Sequence, residues 1–373
     1  MANNVVSAEL VEALSRVRQS MPAAELELAD RMAEISSKHV ETMRDRAFDS
    51  RFRRMKRSLV AHFTGDNKQH RIIIVTGESH AGKTALIEHR LDSDPGFFPY
   101  VDKDGNMTVP ILKMEAPSPC NLVNLAIEGL TRLGYPVKGD IKEKTAWPLF
   151  RDQLKRFKVL VVFIDEAQHT VNSTNRADLQ RLRDIFKHLV QMKDWPVRLI
   201  LAGVSPLEKL REDRQIRTRS MPLHLGDLSV GAHSNHVRHW VRKIVTEHAE
   251  LRLGDFLAGD FPDRMIHSAG GCFGSIIQLT RLAVEDALVN GEGVVGDKNF
   301  AAAYSNLTGC SSSQNIFTAR KWRMLEGALA KIADDSDANE GGSEREIADD
   351  GDEGASEGEI KPKVLKRHRG GER

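Results

Sequence analysis

One short segment constrains the fold more than any other part of this sequence: an apolar run followed directly by a glycine-rich loop. The run is Arg71–Thr76 (RIIIVT), and the loop reads GESHAGKT from Gly77 to Thr84. An uninterrupted apolar run is typical of a strand buried on both faces, as in parallel sheets. The pattern GxxxxGKT between such a strand and a helix is that of a phosphate-binding P-loop. The segment therefore predicts an α/β protein with a parallel sheet that binds a nucleotide.

The residue types in this loop suit phosphate binding for physical reasons. The two glycines allow a tight turn that directs backbone N–H groups inward, and the helix that follows adds partial positive charge at its N-terminus. Lys83 is expected to reach the β- and γ-phosphates of ATP, and Thr84 to ligate Mg²⁺. The nucleotide-binding residues predicted from this segment are Gly77, Glu78, Ser79, His80, Ala81, Gly82, Lys83 and Thr84.

A second strand-like segment ends in two adjacent carboxylates. In VLVVFIDEAQH, Asp165 and Glu166 follow directly on the apolar run of residues 159–164. Ligands of α/β sheets lie at the carboxyl ends of strands, so both side chains are expected to face the loop. Asp165 is then a predicted nucleotide-site residue that holds Mg²⁺ through water, and Glu166 the general base that polarises the attacking water. His169 is interpreted as a capping or packing residue.

Two further segments supply candidates for ATP hydrolysis. In LILAGVSP, Ser205 follows another predicted strand, where it either senses the γ-phosphate or aligns water, or is a turn residue before a proline. Residues 211–219 (REDRQIRTR) are rich in arginine. We expect Arg217 or Arg219, with Arg214 as the third choice, to act as a finger in the active site of a neighbouring copy. The alternative is a solvated basic turn.

The order of strand and helix patterns predicts the domain organisation. Apolar runs at residues 109–114, 159–164 and 197–202 alternate with helical stretches, which indicates a doubly wound sheet. Residues 229–305 show helical patterns and no convincing strand. We predict a helical N-terminal extension over residues 1–64, a nucleotide-binding α/β domain over 65–225, a helical lid domain over 226–310, a helical extension over 311–333 and a disordered tail, acidic and then basic, over 334–373.

Charge is unevenly distributed along the chain. The sequence has 54 Lys and Arg against 53 Asp and Glu, but residues 334–373 hold 7 of the former and 13 of the latter. Residues 1–333 therefore carry a net charge of about +7. This charge distribution is compatible with an anionic partner such as nucleic acid, and equally with ordinary surface solvation. The basic end, residues 361–369, is either a solvated tail or a weak contact with nucleic acid or a partner.

A predicted helix over residues 39–63 is dense in basic side chains. Its members are Arg44, Arg46, Arg51, Arg53, Arg54, Lys56 and Arg57. We expect them to contact the phosphates of duplex DNA. Sequence preference should be small, because no helix-turn-helix or zinc module is recognisable.

The cysteines and the apolar segments indicate where the protein resides. Cys120, Cys272 and Cys310 are far apart and show no metal-ligand spacing, which favours a reducing compartment. The N-terminus lacks the pattern of a secretory signal, and no window approaches the roughly 20 apolar residues of a membrane span. We expect a soluble cytoplasmic protein without a membrane partner.

Together these motifs resemble those of AAA+ ATPases: GESHAGKT, VLVVFIDEAQH about 80 residues later, LILAGVSPLEKL, an arginine-rich segment and a helical lid. Within AAA+ proteins, the helix RDRAFDSRFRRMKRSLV and the forms IDEAQH and LAGVSPLEKL are similar to those of the TniB/TnsC family of transposition regulators, which is akin to MuB. The resemblance covers roughly residues 20–310. It implies a P-loop AAA+ parallel sheet flanked by helices, with a small C-terminal helical lid domain.

The resemblance also implies a function. Members are ATPases that use ATP and Mg²⁺, assemble as a homo-oligomeric ring or filament on duplex DNA, recruit or activate a transposase, and contact a target-selection protein. Slow hydrolysis, stimulated by DNA or a partner, is expected. One feature departs from AAA+ lids, which often carry a sensor arginine after a glycine-rich turn. Residues 270–279 (GGCFGSIIQL) contain none, so that sensor is either absent or replaced by Arg281.

Two other functions fit the same residues. One is an AAA+ loader for replication or recombination, and the other is an ATP-controlled protein-assembly switch without DNA. Hydrolysis stimulated by DNA would distinguish both DNA functions from the switch. A gene position beside an integrase-like transposase would distinguish the regulator from the loader.

Overall fold

A parallel sheet lies at the centre of the molecule. The structure, a computed structural model, describes residues 8–61, 69–137, 141–172, 176–195, 197–327 and 329. The strands of the sheet are β1 (Ile72–Thr76), β2 (Ile111–Glu115), β3 (Val161–Asp165), β4 (Arg198–Gly203) and β5 (Ser220–His224), in the order β2-β3-β4-β1-β5. All of their pairings are parallel. Every residue of β1 and β4 is buried, as the uninterrupted apolar runs predict.

Helices pack around the sheet. In the sequence they precede its first strand, connect its strands and follow its last strand. Before the loop come α1 (Ala8–Ser20), α2 (Ala23–Ser37) and α3 (Met43–Val60). Between the strands come α4 (Lys83–Asp92), α5 (Leu122–Arg132), α6 (Glu143–Arg156), α7 (His169–Asn172), α8 (Arg176–Val190) and α9 (Arg214–Arg219). After the sheet come α10 (Ser234–Lys243), α11 (Phe261–Ser268), α12 (Phe273–Val289) and α13 (Asp297–Thr308).

The two faces of the sheet are buried in two separate cores, because successive side chains of a strand point to opposite faces. Ile72 and Ile74 pack with apolar side chains of α5, α6 and α8. Ile73 and Val75 pack with side chains of α3 and α4, among them Phe48. The predicted fold, a parallel sheet flanked by helices, is confirmed.

A third core holds the C-terminal helices together. Side chains from α10 to α13 form it, joined by Ile35 of α2 and by Val40. This is the helical lid that the sequence predicts after the sheet. α2 is therefore tied to the lid, although it precedes the sheet in the chain.

Some elements differ from the sequence-based expectations. Residues 229–305 do contain strands: β6 (Arg252–Leu253) and β7 (Val294–Val295) form a two-stranded parallel sheet. Among the helical patterns of this stretch, α10 is α-helical only to Lys243 and continues as a π-helical turn over Ile244–His248. Where the sequence predicts a helical extension over 311–333, residues 311–327 form turns with one 3-10 turn, Trp322–Met324.

The predicted domain boundaries stay predictions. The predicted disordered tail, residues 334–373, lies outside the described residues. Among the described helices, none combines the length and the apolar composition that a bilayer span requires.

Candidate nucleotide-binding site

The glycine-rich loop connects β1 to α4 at the carboxyl edge of the sheet. Gly77 lies against the backbone of Leu225, where an added Cβ would be 2.8 Å from the Leu225 carbonyl oxygen. Gly82 has a φ of +85°, which favours glycine, and it directly precedes α4. The loop therefore requires both glycines of its motif for backbone reasons.

Lys83 lies inside the curve of this loop. Its buried ammonium donates hydrogen bonds to the carbonyl oxygens of Gly77 and Glu78, each at 3.0 Å. α4 begins at the same residue, so the positive end of the helix and the lysine charge are at one place. This arrangement fits a bound phosphate group.

Thr84 and Asp165 meet across the site. The Thr84 Oγ1 donates a hydrogen bond of 2.6 Å to the Asp165 Oδ2, although the residues are 81 positions apart. Burial raises the pKa of the Asp165 carboxyl, and the hydrogen bond from Thr84 opposes that rise. A hydroxyl and a carboxylate side by side are oxygen ligands of the kind Mg²⁺ takes together with phosphates and water. The donor set fits the predicted metal.

Glu166 is next to Asp165 in an unusual backbone conformation. Its φ is +46°, which is uncommon for a residue with a side chain. Its N–H donates to the Asp165 Oδ1 at 3.0 Å, and its Oε2 accepts a hydrogen bond of 2.5 Å from the Gln168 amide. Residues held in such conformations cluster at functional sites. The two predicted carboxylates are thus side by side at the end of β3.

Ser205 lies at the same edge, two residues beyond the end of β4. Its side chain is exposed, in the turn that leads into a 3-10 helix over Leu207–Glu212. β4 pairs with β3, so this turn is adjacent to the carboxylates. Both predictions for Ser205, a phosphate sensor and a turn residue, stay open.

The candidate finger residues precede β5, at the end of the sheet where the parallel strands begin. Arg219 is the last residue of α9, and β5 begins at the next residue. Ser220 pairs with Ile72, the first residue of β1, whereas the loop leaves the last residue of that strand. At about 3.3 Å per residue, the length of the strand puts roughly 13 Å between them. The structure therefore places the backbone of Arg219 well away from the loop of its own chain.

The three candidate arginines differ in their surroundings. Arg219 donates from its guanidinium to the carbonyl oxygen of Gln215 at 2.8 Å, within its own helix. Arg214 and Arg217 are exposed. Whether any of the three acts as a finger stays a prediction.

A cavity of about 910 Å³ adjoins the loop, and the sequence did not predict it. The lining comes from residues 32–45, from α4 and from α12. Within it, the rings of His39 and His89 stack at 3.9 Å with 8° between their planes. The His39 Nε2 is 2.6 Å from an oxygen of Asp45. No motif signals this group, because its members come from three elements that have no common sequence pattern.

Arg44 corrects one expectation. The sequence assigns it to a DNA-binding helix face, but its guanidinium points to the nucleotide site and lines the cavity. It donates to the carbonyl oxygens of Ala81 at 2.9 Å and Gly226 at 2.5 Å, and lies 5.2 Å from the Phe273 ring centre. Burial lowers the pKa of the Arg44 guanidinium. Arg44 thus connects α3, the loop and the lid.

The lid touches the loop directly. The Gly274 N–H donates to the carbonyl oxygen of His80 at 2.8 Å, and the Cys272 thiol to that of Ser79 at 3.3 Å. A Cβ on Gly274 would collide with His80. The first of these contacts joins the backbone of the loop directly to the backbone of α12.

Arg281, the residue that could replace a lid sensor, also lines the cavity. Its guanidinium donates to the carbonyl oxygen of Lys38 at 3.0 Å, and burial lowers its pKa. Whether it senses nucleotide stays a prediction.

Comparison with known proteins gives one family. The family model described as TniB, Bacterial TniB protein, matches residues 39–229, which is just over half of the chain. No curated protein matches the sequence.

Several solved structures have a similar shape. The ORC2 protein of Aeropyrum pernix, as ADPNP–ADP complexes, matches with a TM-score of 0.48 and 18% identity, over 72% of this chain and 72% of that chain. The RuvB Holliday junction branch migration motor of Thermotoga maritima has a TM-score of 0.41 and 14% identity, over 72% and 74%. Cdc6p from Pyrobaculum aerophilum has a TM-score of 0.43 and 10% identity, over 66% and 65%. Likeness of this size does not indicate what a chain binds or catalyses.

Proposed function

Because this chain belongs to the TniB family of bacterial proteins, we propose that it is an ATP-dependent, DNA-binding regulator of transposition. In this function it assembles on target DNA as a ring or filament and recruits or activates a transposase, with contacts to a target-selection protein. The observation that carries the ATPase part is the 2.6 Å contact between Thr84 and Asp165 beside the buried ammonium of Lys83. Family membership supports the transposition part.

ATP binding relies on the loop and on the cavity beside it. Lys83 and the N-terminus of α4 bind the phosphates. The cavity that begins at Gly82 receives the base and sugar, and its 910 Å³ is within the range of ligand pockets, about 300–1,000 Å³. Thr84 and Asp165 hold Mg²⁺, which supplies positive charge to the phosphate oxygens.

Hydrolysis needs a base and a further cation. Glu166 takes the proton of the water whose oxygen attacks the γ-phosphorus, and ADP leaves with the electron pair of the broken P–O bond. An arginine from the α9 helix of a neighbouring copy, Arg217 or Arg219, stabilises the negative charge of the transition state. The separation of Arg219 from the loop of its own chain supports delivery in trans, and with it an oligomer.

DNA binding is assigned to a narrower set of side chains than the sequence suggested. Arg44 contacts the loop and Gly226, Arg51 donates to the Pro222 carbonyl oxygen at 2.7 Å, and Lys56 pairs with Asp94 at 2.6 Å. The basic side chains of α3 that remain exposed are Arg46, Arg53, Arg54 and Arg57.

These four arginines form one strip, which we call the α3 arginine strip. Arg53 and Arg57 follow Arg46 by 7 and 11 residues, which at 3.6 residues per turn puts all three on one side of the helix. Arg54 borders them. A strip of fixed positive charge along a helix suits the phosphates of a DNA backbone without base readout.

DNA-stimulated hydrolysis is the experiment that tests this function. The release of phosphate would be measured with ATP and Mg²⁺, with and without duplex DNA of two unrelated sequences. We expect hydrolysis to rise with either DNA, and ATP to promote DNA binding. Equal rates and equal DNA affinity in all conditions would contradict the DNA-dependent function and favour a protein-assembly switch. Capture of the transposase encoded beside this gene by the ATP-bound, DNA-bound protein would test the transposition part.

A further inference from the structure

One buried amide bridges the ends of two neighbouring strands at the site. Gln168 is only 3% exposed. Its Nε2 donates to the Glu166 Oε2 at 2.5 Å, and its Oε1 accepts from the Val204 N–H at 3.1 Å. Because the oxygen is occupied by a backbone donor, the NH₂ group has to face the carboxylate. Both ends of the amide are thus used, one on β3 and the other on β4.

The surrounding backbone is shaped to hold this amide. Gly203, the last residue of β4, lies so close that a Cβ there would meet the Oε1 and the backbone nitrogen of Gln168. The Ala167 N–H donates to the Ala202 carbonyl oxygen at 2.8 Å, which ties the turn after β3 to the neighbouring strand. A side chain at position 203 would push the amide away from Glu166. The contact is therefore a fixed part of the fold at this edge.

We infer that Gln168 is a positioning residue for hydrolysis, an inference that rests on the proposed role of Glu166 as general base. Glu166 has a left-handed backbone, so the regular geometry of β3 does not direct its side chain. The Gln168 amide holds one carboxylate oxygen and leaves the other to accept the proton of the attacking water. A base that is held in place loses less freedom in the transition state.

The same amide links the base to the candidate phosphate sensor. Val204, whose N–H it accepts, directly precedes Ser205. Glu166, Gln168 and the turn after β4 therefore form one hydrogen-bonded chain. A displacement of that turn by nucleotide would move the amide, and with it the carboxylate.

Two substitutions test this role. Gln168→Met keeps the length of the side chain and removes both hydrogen bonds, whereas Gln168→Glu keeps the acceptor for Val204 and places a second carboxylate against Glu166. We expect ATP affinity within about twofold of wild type for both. Single-turnover hydrolysis at saturating ATP should fall roughly 10- to 100-fold, part of the 10²- to 10⁴-fold that a general base contributes. Gln180→Met, on the exposed side of α8, is the matched control and should hydrolyse ATP as wild type does.

A second pair of variants separates positioning from a loss of packing. If Gln168 acts only through Glu166, then adding Gln168→Met to Glu166→Gln should reduce hydrolysis no further, because the base is already lost. A multiplied loss in the double variant would overturn the inference, and so would wild-type hydrolysis by Gln168→Met. Thermal unfolding of each variant shows whether it folds. If Gln168→Met does not fold, the hydrolysis rate of Gln168→Glu alone tests the inference.

The outcome for the wild-type protein distinguishes this inference from the proposed function. A wild-type protein that binds ATP and never hydrolyses it, with or without DNA, would contradict the ATPase function itself. Full hydrolysis by Glu166→Gln would remove the base assignment, and the role of Gln168 with it. If Glu166→Gln hydrolyses ATP slowly, as expected, but Gln168→Met hydrolyses it at the wild-type rate, only the positioning role would be overturned.

Discussion

The two ends of the parallel sheet hold different groups of the proposed reaction. At the carboxyl ends, Lys83, Thr84, Asp165 and Glu166 lie together and are linked by hydrogen bonds through the loop and the turn after β3. At the amino end of β5, Arg219 donates to the Gln215 carbonyl oxygen of its own helix, and its guanidinium lies beside the Gln191 amide. In the proposed function, one chain holds the groups that bind ATP and activate water, and its finger candidates act in the site of another copy.

The largest expected effect comes from Lys83, because it is the buried cation of the carboxyl end. Lys83→Ala should abolish stable ATP binding, since it removes the charge that faces the β- and γ-phosphates. Calorimetric titration with ATP measures this directly. Lys103→Ala, at an exposed turn before β2, is the control and should bind as wild type does. Near-wild-type affinity of Lys83→Ala would contradict the P-loop assignment.

The next effect concerns the amino end. Arg219→Ala or Arg217→Ala should leave ATP affinity unchanged, because the loop of the same chain is intact. Hydrolysis should fall by about 10³, the lower range for loss of an arginine finger, and ATP-driven oligomerisation should weaken with it. Steady-state kinetics and sedimentation measure the two. Arg16→Ala, at an exposed position of α1, serves as the control. Normal kinetics in both finger variants would leave the segment as a solvated basic turn.

The third prediction concerns Glu166, at the carboxyl ends of the strands. Glu166→Gln should retain ATP and hydrolyse it at least about 10²-fold more slowly, since the amide keeps the shape and loses the base. Assemblies on DNA should then persist longer, because ATP is not consumed. Phosphate release and the lifetime of DNA complexes are the measurements. Unchanged turnover would show that Glu166 is not the base.

The sequence predicted the carboxyl end well because each part of it is a local motif. The loop, the DE pair and the strand before Ser205 are each read from fewer than about ten consecutive residues, and pairing of parallel strands brings them to one edge. The cavity could not be predicted in this way. His39, His89 and Phe273 come from three separate parts of the chain, and only tertiary packing brings them to one cavity.

The missed strands have their own physical causes. β5 contains Pro222, which lacks a backbone donor and so argues against a strand, but an edge position tolerates it. β6 and β7 have two residues each, too few for a periodic pattern.

The stretch after α13 forms turns where the sequence predicts a helix, and the side chain of Asn315 shows a reason. It donates to the carbonyl oxygen of Ala301, and its Oδ1 accepts from the Phe317 N–H. Such side-chain bonds to backbone favour turns over helix.

The smallest effect is expected from the α3 arginine strip, which belongs to neither end of the sheet. Replacing Arg46, Arg53 and Arg57 by alanine should make the affinity for DNA depend less steeply on salt. The slope of log affinity against log salt should become less negative by about 0.9 for each phosphate that the protein no longer neutralises. ATP affinity should not change. Lys56→Ala is the control, because Lys56 is paired with Asp94. DNA titrations at several salt concentrations give the slope, and an unchanged slope in the triple variant would place the DNA interface elsewhere.

Mixing two inactive variants tests most directly whether the two ends of the sheet serve different sites. A Glu166→Gln chain has an inactive site but still presents its α9 arginines, whereas an Arg219→Ala chain, or Arg217→Ala where that variant is the impaired one, has an intact site and presents an incomplete set. Co-assembled, the two should recover part of the hydrolysis that each lacks alone, because an intact site then receives an arginine from its neighbour. Recovery that rises with the fraction of mixed contacts is the predicted result. A mixture that stays inactive, although both chains are shown in the same assembly, would contradict delivery in trans.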